Sequence, residues 1–401
     1  MTTPNWSTLF EIAQAHTNAK WMRRPGSSPA TAPIPNNQIT SQEAPVLLYK
    51  DTNSWCPYCE RVLFALEEKE LPYQVEFINL GSKPQWYLDL VPSGLVPAAK
   101  IRGELIYESK DILLALEDFA LSLLPLESTL KEVALEEIAN CESKGLIQTG
   151  YKLIWSCGSA SSNLASEEVL SLQTDFEAKL DAVEQLLTKY PGDYFLGEFS
   201  LVDIMYAPHL NRLANNLPVY SDYQLQDNDR FFYLNRWLKA IASRPAYNRI
   251  KPDSTTNNLV VRRIFGLQPA SQQLTLETEN LASRSDEMEA AAKLSDNHQA
   301  IIGDIFKNSG LEAMIDESER DLATSAVDLH LRWLAQHLIT GTKQLVGGRV
   351  GGKGNTDAKV AAIGAIALAY LRNRASAPRD MSAGAAIAFR SAIDTVFQAL
   401  Y

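Results

Sequence analysis

Two cysteines spaced for redox chemistry stand in the segment Cys56-Pro57-Tyr58-Cys59. An apolar run, Val46-Leu47-Leu48-Tyr49, precedes the segment, and a helix-like run from Glu60 to Lys69 follows it. A thiol at the first turn of a helix faces unpaired backbone N–H groups and the positive end of the helix dipole, which favour the thiolate. Cys56 is therefore expected to be the nucleophile. Pro57 falls at the first helical position, where its missing N–H costs nothing. Cys59, three residues after Cys56, shares its face and is placed to resolve a mixed disulfide. A zinc half-site needs further ligands, and the remaining cysteines, Cys141 and Cys157, are distant and lack ligand spacing, so no metal is expected.

The elements that must position this pair follow from local signals. Leu71-Pro72 ends the helix, and the alternating stretch Tyr73–Ile78 reads as a strand, giving a βαβ start. Ala98–Ile101 and Glu104–Tyr107 read as a hairpin closed by Arg102-Gly103, and Ser109 opens a further helix. A β-α-β, then β-β-α order is the thioredoxin-like plan. Tyr49 is read as a packing residue, and Ser54 as a weak rival nucleophile.

Several ordered motifs in this region, Ile78-Asn79-Leu80-Gly81-Ser82-Lys83-Pro84-Gln85-Trp86-Tyr87, Gly94-Leu95-Val96-Pro97 and Leu105-Ile106-Tyr107-Glu108-Ser109, resemble the amino-terminal domain of glutathione transferases. The similarity is greatest to the cysteine-type members: omega, lambda, dehydroascorbate reductase and two-domain glutaredoxins. It covers roughly residues 45 to 250. The resemblance implies glutathione as co-substrate and gives the matching residues roles. Val96-Pro97 would hold a cis peptide and expose the Val96 backbone to the cysteinyl part of glutathione. Glu108 would attract the γ-glutamyl ammonium, while Ser109 and its helix N-terminus take the carboxylate. Lys83 matches the lysine that pairs with the glycyl carboxylate. A solvated lysine and an ordinary helix-start acid are the plain alternatives for Lys83 and Glu108. Where many omega and lambda members keep one cysteine, this chain has two, which opens a dithiol cycle.

Helical periodicity resumes from about Thr129 to Gly158 and from Ser166 to Tyr190, with Leu170, Phe176, Leu180, Val183 and Leu187 marking one face of the latter. Tyr151 and Trp155, with Tyr58, are candidates to line a hydrophobic substrate cleft; core packing is the alternative. Ser200-Leu201-Val202-Asp203 resembles the capping box of the superfamily, a folding element. Trp237 and Arg244-Pro245-Ala246-Tyr247 match later helices of the same domain, and His209 reads as a packed histidine.

The remainder lies outside that resemblance. A short amphipathic helix is expected around Trp6–Ala15, followed by a Pro/Ser-rich linker, Pro25–Gln42. From about Ser271 onward, polar and alanine-rich helical runs form an appended module. Val360 to Leu371 is apolar but too short to span a bilayer. The bend Gly347–Gly354 resembles a phosphate-binding loop yet lacks its hydroxyl residue, and His330 and His337 read as surface or interface residues without a third ligand.

The expected organisation is a helix and linker over 1–43, a thioredoxin-like glutathione-binding domain over 44–122, an all-α transferase domain over 128–268, and an all-α extension over 271–401. The fold class is thus α+β thioredoxin-like, then all-α, then a further all-α module. A net charge of −11 over 401 residues argues against nonspecific nucleic-acid binding. Four cysteines without framework spacing fit a reducing, cytoplasmic setting, and no signal-peptide core is evident. The function these readings favour is a glutathione-dependent thiol-disulfide oxidoreductase of the glutaredoxin or dehydroascorbate reductase kind. Its partners would be glutathione and a disulfide or small oxidised substrate. The alternative is a non-catalytic transferase-like scaffold whose helical module binds a protein partner or a second copy of the chain.

Overall fold

The computed structural model describes residues 4–16, 22–23, 45–53, 55–159, 165–270, 282–341, 355–374 and 381–400. The Pro/Ser-rich linker, Ser54 and the glycine-rich bend Gly347–Gly354 lie outside the described residues. The chain divides into two compact units, residues 20–276 on one hand and residues 1–19 with 277–401 on the other. Helix α1 (Trp6–Gln14) belongs to the second and is taken up with it.

Residues 20–276 begin with a five-stranded sheet in the order β1-β3-β2-β4-β5, formed by β1 (Met22–Arg23), β2 (Val46–Asp51), β3 (Tyr73–Ile78), β4 (Ala98–Ile101) and β5 (Glu104–Tyr107). Strand β2 pairs in parallel with β3 and antiparallel with β4. Every residue of β2 is buried, because the sheet is covered on both faces. Strand alternation sends Val46 and Leu48 into the main core and Leu47 and Tyr49 into a smaller cluster with Tyr87 and Val91. Helix α2 (Pro57–Glu68) links β2 to β3, α3 (Gln85–Leu90) carries Tyr87, and α4 (Ser109–Leu116) follows β5. Arg102 and Gly103 both take positive φ, at 50° and 93°, as a two-residue hairpin of the mirror-image turn type requires. Strand β1 carries no strand signal in the sequence.

Among the described residues, seven α-helices complete this unit: α5 (Ser128–Asn140), α6 (Leu146–Gly158), α7 (Ser166–Leu187), α8 (Leu201–Tyr220), α9 (Phe232–Ser243), α10 (Pro245–Ile250) and α11 (Ser254–Ile264). The periodic run from Thr129 to Gly158 is two helices, not one, because Gly145 adopts a left-handed φ of 81° and turns the chain. On α7, Phe176, Leu180, Val183 and Leu187 are buried as expected, but Leu170 is 63 % exposed and lies off that face. Ser200 and Asp203 form the capping box of α8. Asp203 also accepts hydrogen bonds from Phe195 N at 3.2 Å and Trp237 Nε1 at 2.7 Å, tying α9 to the start of α8. Burial raises its pKa to about 6.

In the second unit α1 packs against α12 (Arg284–Asn308) and α13 (Arg320–Thr340), and α14 (Asn355–Arg372) and α15 (Ala383–Leu400) pack against α12, α13 and each other. The amino-terminal helix is thus part of the bundle. Leu9 and Ala13 enter a core with Leu294, Leu331, Leu368 and Phe389. The Trp6 ring stacks on His298 at 4.5 Å, and its Nε1 donates to Asp328 at 2.7 Å. His330 is fully buried rather than a surface or interface residue: its Nδ1 contacts Ala326 O, and its ring lies against Gly364, where a side chain would not fit. No helix among the described residues is long and apolar enough to cross a membrane.

Candidate active site

Cys56 is the residue immediately before α2, extended at φ −62° and ψ 111°, with Pro57 as the first helical residue. The loop leading to it is held by one carboxylate. Asp51, at the end of β2, accepts through Oδ2 from the backbone N–H groups of Asn53 at 3.2 Å, Trp55 at 3.0 Å and Cys56 at 3.4 Å. Three N–H donors converging on one carboxylate oxygen give this loop one favoured path. The Cys56 sulfur lies 3.7 Å from Val96 O, on the residue that precedes the cis Val96-Pro97 bond. Cys59 is 1 % exposed, and all four cysteines are free thiols. Burial, and then a hydrogen bond with Cys56, pushes the Cys59 thiol pKa well above its ordinary value.

A cavity of about 960 Å³ opens beside Cys56. Its walls bring together Cys56, Tyr58, Lys83, Val96, Tyr151 and Trp155, six of the residues singled out from sequence. Cys59, Pro97, Glu108 and Ser109 do not line it. Cys59 sits behind Cys56, one turn into α2. Glu108 is exposed at the start of α4 with a φ of 78° and ψ of 116°, a conformation rare for a residue with a side chain. Ser109 is buried, and its hydroxyl accepts from Arg61 at 3.5 Å. The Lys83 ammonium lies beside Gly94, whose φ of 63° lets the backbone pass close to it.

Much of the cavity lining is aromatic. Trp155 contacts Phe265 at 5.4 Å and Tyr151 at 5.5 Å between ring centroids, and Trp55 contacts Phe265 at 5.0 Å. Phe265, Trp55 and Ile264 were not singled out from sequence, because Phe265 and Ile264 come from the end of α11, remote in the chain from Cys56. His209, on α8, is 1 % exposed and packs edge-on against Tyr58 at 5.0 Å, as a packed histidine should, but it also lines the cavity. Burial drives its pKa well below the usual value, so it is neutral, and neither ring nitrogen has a hydrogen-bond partner among the described residues. Beneath this wall Arg212 pairs with Glu60 at 2.6 Å and donates to Trp55 O at 2.9 Å, fixing the loop before Cys56 from the α8 side. Among the described residues, one group of three could ligate a metal ion: Asp51, Cys56 and Cys59. The Asp51 carboxylate is a candidate ligand that the spacing of cysteines and histidines alone does not reveal.

Comparison with known proteins agrees with this architecture. Residues 55–118 match the family described as glutathione S-transferase, N-terminal domain, and residues 159–240 match glutathione S-transferase, C-terminal domain. Glutathione S-transferase DHAR2 of Arabidopsis thaliana is 32 % identical over 202 residues, which span 49 % of this chain and 84 % of that protein. Pyrimidodiazepine synthase of Drosophila melanogaster is 31 % identical over 204 residues, 48 % of this chain and 75 % of that one. A crystal structure of Chlamydomonas reinhardtii dehydroascorbate reductase superposes with a TM-score of 0.39 at 24 % identity, covering 51 % of this chain and 92 % of the other. The unit built from α1 and α12–α15 lies outside both family matches. From the family matches and the relatives together, the chain belongs to the glutathione S-transferase superfamily of enzymes, among its cysteine-type members.

Proposed function

We propose that this enzyme is a glutathione-dependent thiol-disulfide oxidoreductase acting through Cys56. The observation that carries the reading is the position of the Cys56 sulfur: before a helix N-terminus, against Val96 O, and on the wall of a cavity whose lining includes Lys83 and the rings of Tyr58, Tyr151, Trp155 and Phe265. In this reading residues 44–122 supply the glutathione contacts and 128–268 the wall for the second substrate. The Val96 backbone pairs with the cysteinyl unit, positioned by Pro97, and Lys83 meets the glycyl carboxylate. Glu108 takes the γ-glutamyl ammonium, with Ser109 and the α4 N-terminus on its carboxylate. Tyr58, Tyr151 and Trp155 bound the acceptor.

The Cys56 thiolate attacks the glutathionyl sulfur of a mixed disulfide. A Cys56–sulfur bond forms as the old disulfide breaks, and the substrate leaves as a thiolate that takes a proton from water. A free glutathione thiolate then attacks the glutathionyl sulfur on Cys56, yielding glutathione disulfide and restoring the Cys56 thiolate. Cys59 could instead attack Cys56, closing an internal disulfide that two further glutathiones would reopen. Its burial and raised thiol pKa support the one-cysteine route, since the attacking form is scarce. A small oxidised acceptor such as dehydroascorbate, which the cysteine-type resemblance implies, would enter over the same aromatic wall.

Glutathione-dependent reduction of a mixed disulfide should be abolished in Cys56→Ser and retained in Cys59→Ser. Loss in both variants would show the dithiol cycle, and activity surviving in Cys56→Ser would overturn the assignment of the nucleophile.

A further inference from the structure

The thiol pair has a third neighbour that the redox cycle does not use. The Cys56 and Cys59 sulfurs and a carboxylate oxygen of Asp51 all lie within 4.8 Å of one another. Asp51 is 1 % exposed. Its Oδ2 is occupied by three loop N–H groups, whereas Oδ1 is buried and has no hydrogen-bond partner among the described residues. Lys50 Nζ bonds the main-chain carbonyl of Asp51, at 3.1 Å. A buried carboxylate oxygen without a donor costs free energy, on the order of 1–3 kcal/mol or more for a charged group. A cation bound to the Asp51 carboxylate would offset the cost.

We propose that Asp51, Cys56 and Cys59 form a three-ligand site for a thiophilic d10 cation, such as Zn²⁺ or Cd²⁺, with its fourth position open to the cavity. Two sulfurs select such an ion over Mg²⁺ or Ca²⁺, which prefer oxygen. With metal–sulfur lengths of about 2.3 Å, tetrahedral binding puts the two sulfurs about 3.8 Å apart. Ligand atoms already within 4.8 Å reach that arrangement by side-chain adjustments of about 1 Å. Both thiols lose their protons on binding, and the protons pass to solvent. Cys56 lines the cavity, so the remaining position is held by water or an incoming thiolate. A sulfur bound to metal is not available for attack, and the ion therefore acts as a reversible block on Cys56 rather than as a catalyst.

The test needs no turnover, so it is independent of the proposed oxidoreductase activity. The fully reduced chain is titrated with Cd²⁺ alone, without oxygen, while the thiolate-to-cadmium ultraviolet absorption and proton release are followed. One Cd²⁺ per chain should bind, with the band diminished in Cys59→Ser and unchanged in Cys157→Ser. Asp51→Asn should weaken binding at least about tenfold. Because Asp51 also holds the loop, X-ray absorption on the Zn²⁺-loaded unmutated chain provides a second reading: two sulfurs near 2.3 Å with oxygen or nitrogen completing the shell. Absence of a stoichiometric band, equal affinity in a folded Asp51→Asn chain, or a shell of four sulfurs or none would each overturn the proposal.

Discussion

Glu108 sits at φ 78° and ψ 116°, outside the small left-handed region open to residues with a Cβ. Holding it there costs about 1–3 kcal/mol. Replacing it with glycine removes that cost but adds about 0.5–1 kcal/mol of unfolded-state entropy to be lost on folding. The Glu108 side chain makes no capping hydrogen bond to α4, so none is forfeited, and glycine is itself tolerated at that position. Glu108→Gly should therefore stabilise the enzyme by roughly 0.5–2 kcal/mol. In the proposed function the same change removes the partner of the γ-glutamyl ammonium. An exposed charge contact of about 1–2 kcal/mol corresponds to a rise of about 5- to 30-fold in KM for glutathione. Glu108→Gln separates the two effects, because it keeps the side chain and the backbone strain while losing the charge: KM rises with stability unchanged. Urea unfolding and steady-state kinetics in glutathione read both quantities. A Glu108→Gly enzyme less stable than the parent would refute the strain argument, and an unchanged KM in both variants would refute the binding role.

Gly364→Ala should destabilise the helical bundle by about 1–3 kcal/mol, despite the gain of about 1 kcal/mol expected from helix propensity, because the new methyl would collide with the buried His330 ring. Adding His330→Ala should relieve that collision, and a double-mutant cycle by thermal unfolding showing no coupling would count against it. Leu9→Ala should cost about 2–5 kcal/mol and speed amide exchange in α12 and α13, since Leu9 is 1 % exposed in their core. Asp203 holds its proton more tightly folded than unfolded, with a pKa of about 6 against an ordinary 3.8. Its contribution is thus fully present below about pH 4 and is lost as pH rises through about 6, a change of roughly 3 kcal/mol. Subtracting the stability profile of Asp203→Asn should isolate that slope, and parallel profiles would contradict it.

The loop that carries Cys56 was legible because its signals are local: a largely apolar strand, proline at the first helical position, and a thiol just before it. The Arg102-Gly103 turn was readable for the same reason, whereas the cis Val96-Pro97 bond was expected only from the resemblance to glutathione transferases. The helix break at Gly145 was not, since apolar spacing continues across it and only the left-handed φ reveals the turn. Nor was the Phe265 wall, which depends on α11 returning to a loop some 200 residues earlier, a contact that periodicity does not encode. Asp51 left one trace, an acid closing strand β2 five residues before the first thiol. The burial of His330 becomes intelligible only when Gly364 is seen opposite it.

Helix α1 and helices α12–α15 share one core, although the whole transferase body lies between them in sequence. Synthesis therefore delivers the pieces of the bundle at widely separated times. At 5–20 residues per second, α1 leaves the ribosome on the order of ten seconds to a minute before α12 exists to receive it. Its apolar face, with Leu9 and Ala13, must wait in solvent or with a chaperone while residues 20–276 fold. Completion of the bundle then reports that translation has passed the transferase body, so a chain interrupted before α12 would carry a finished Cys56 loop and an uncovered helix together.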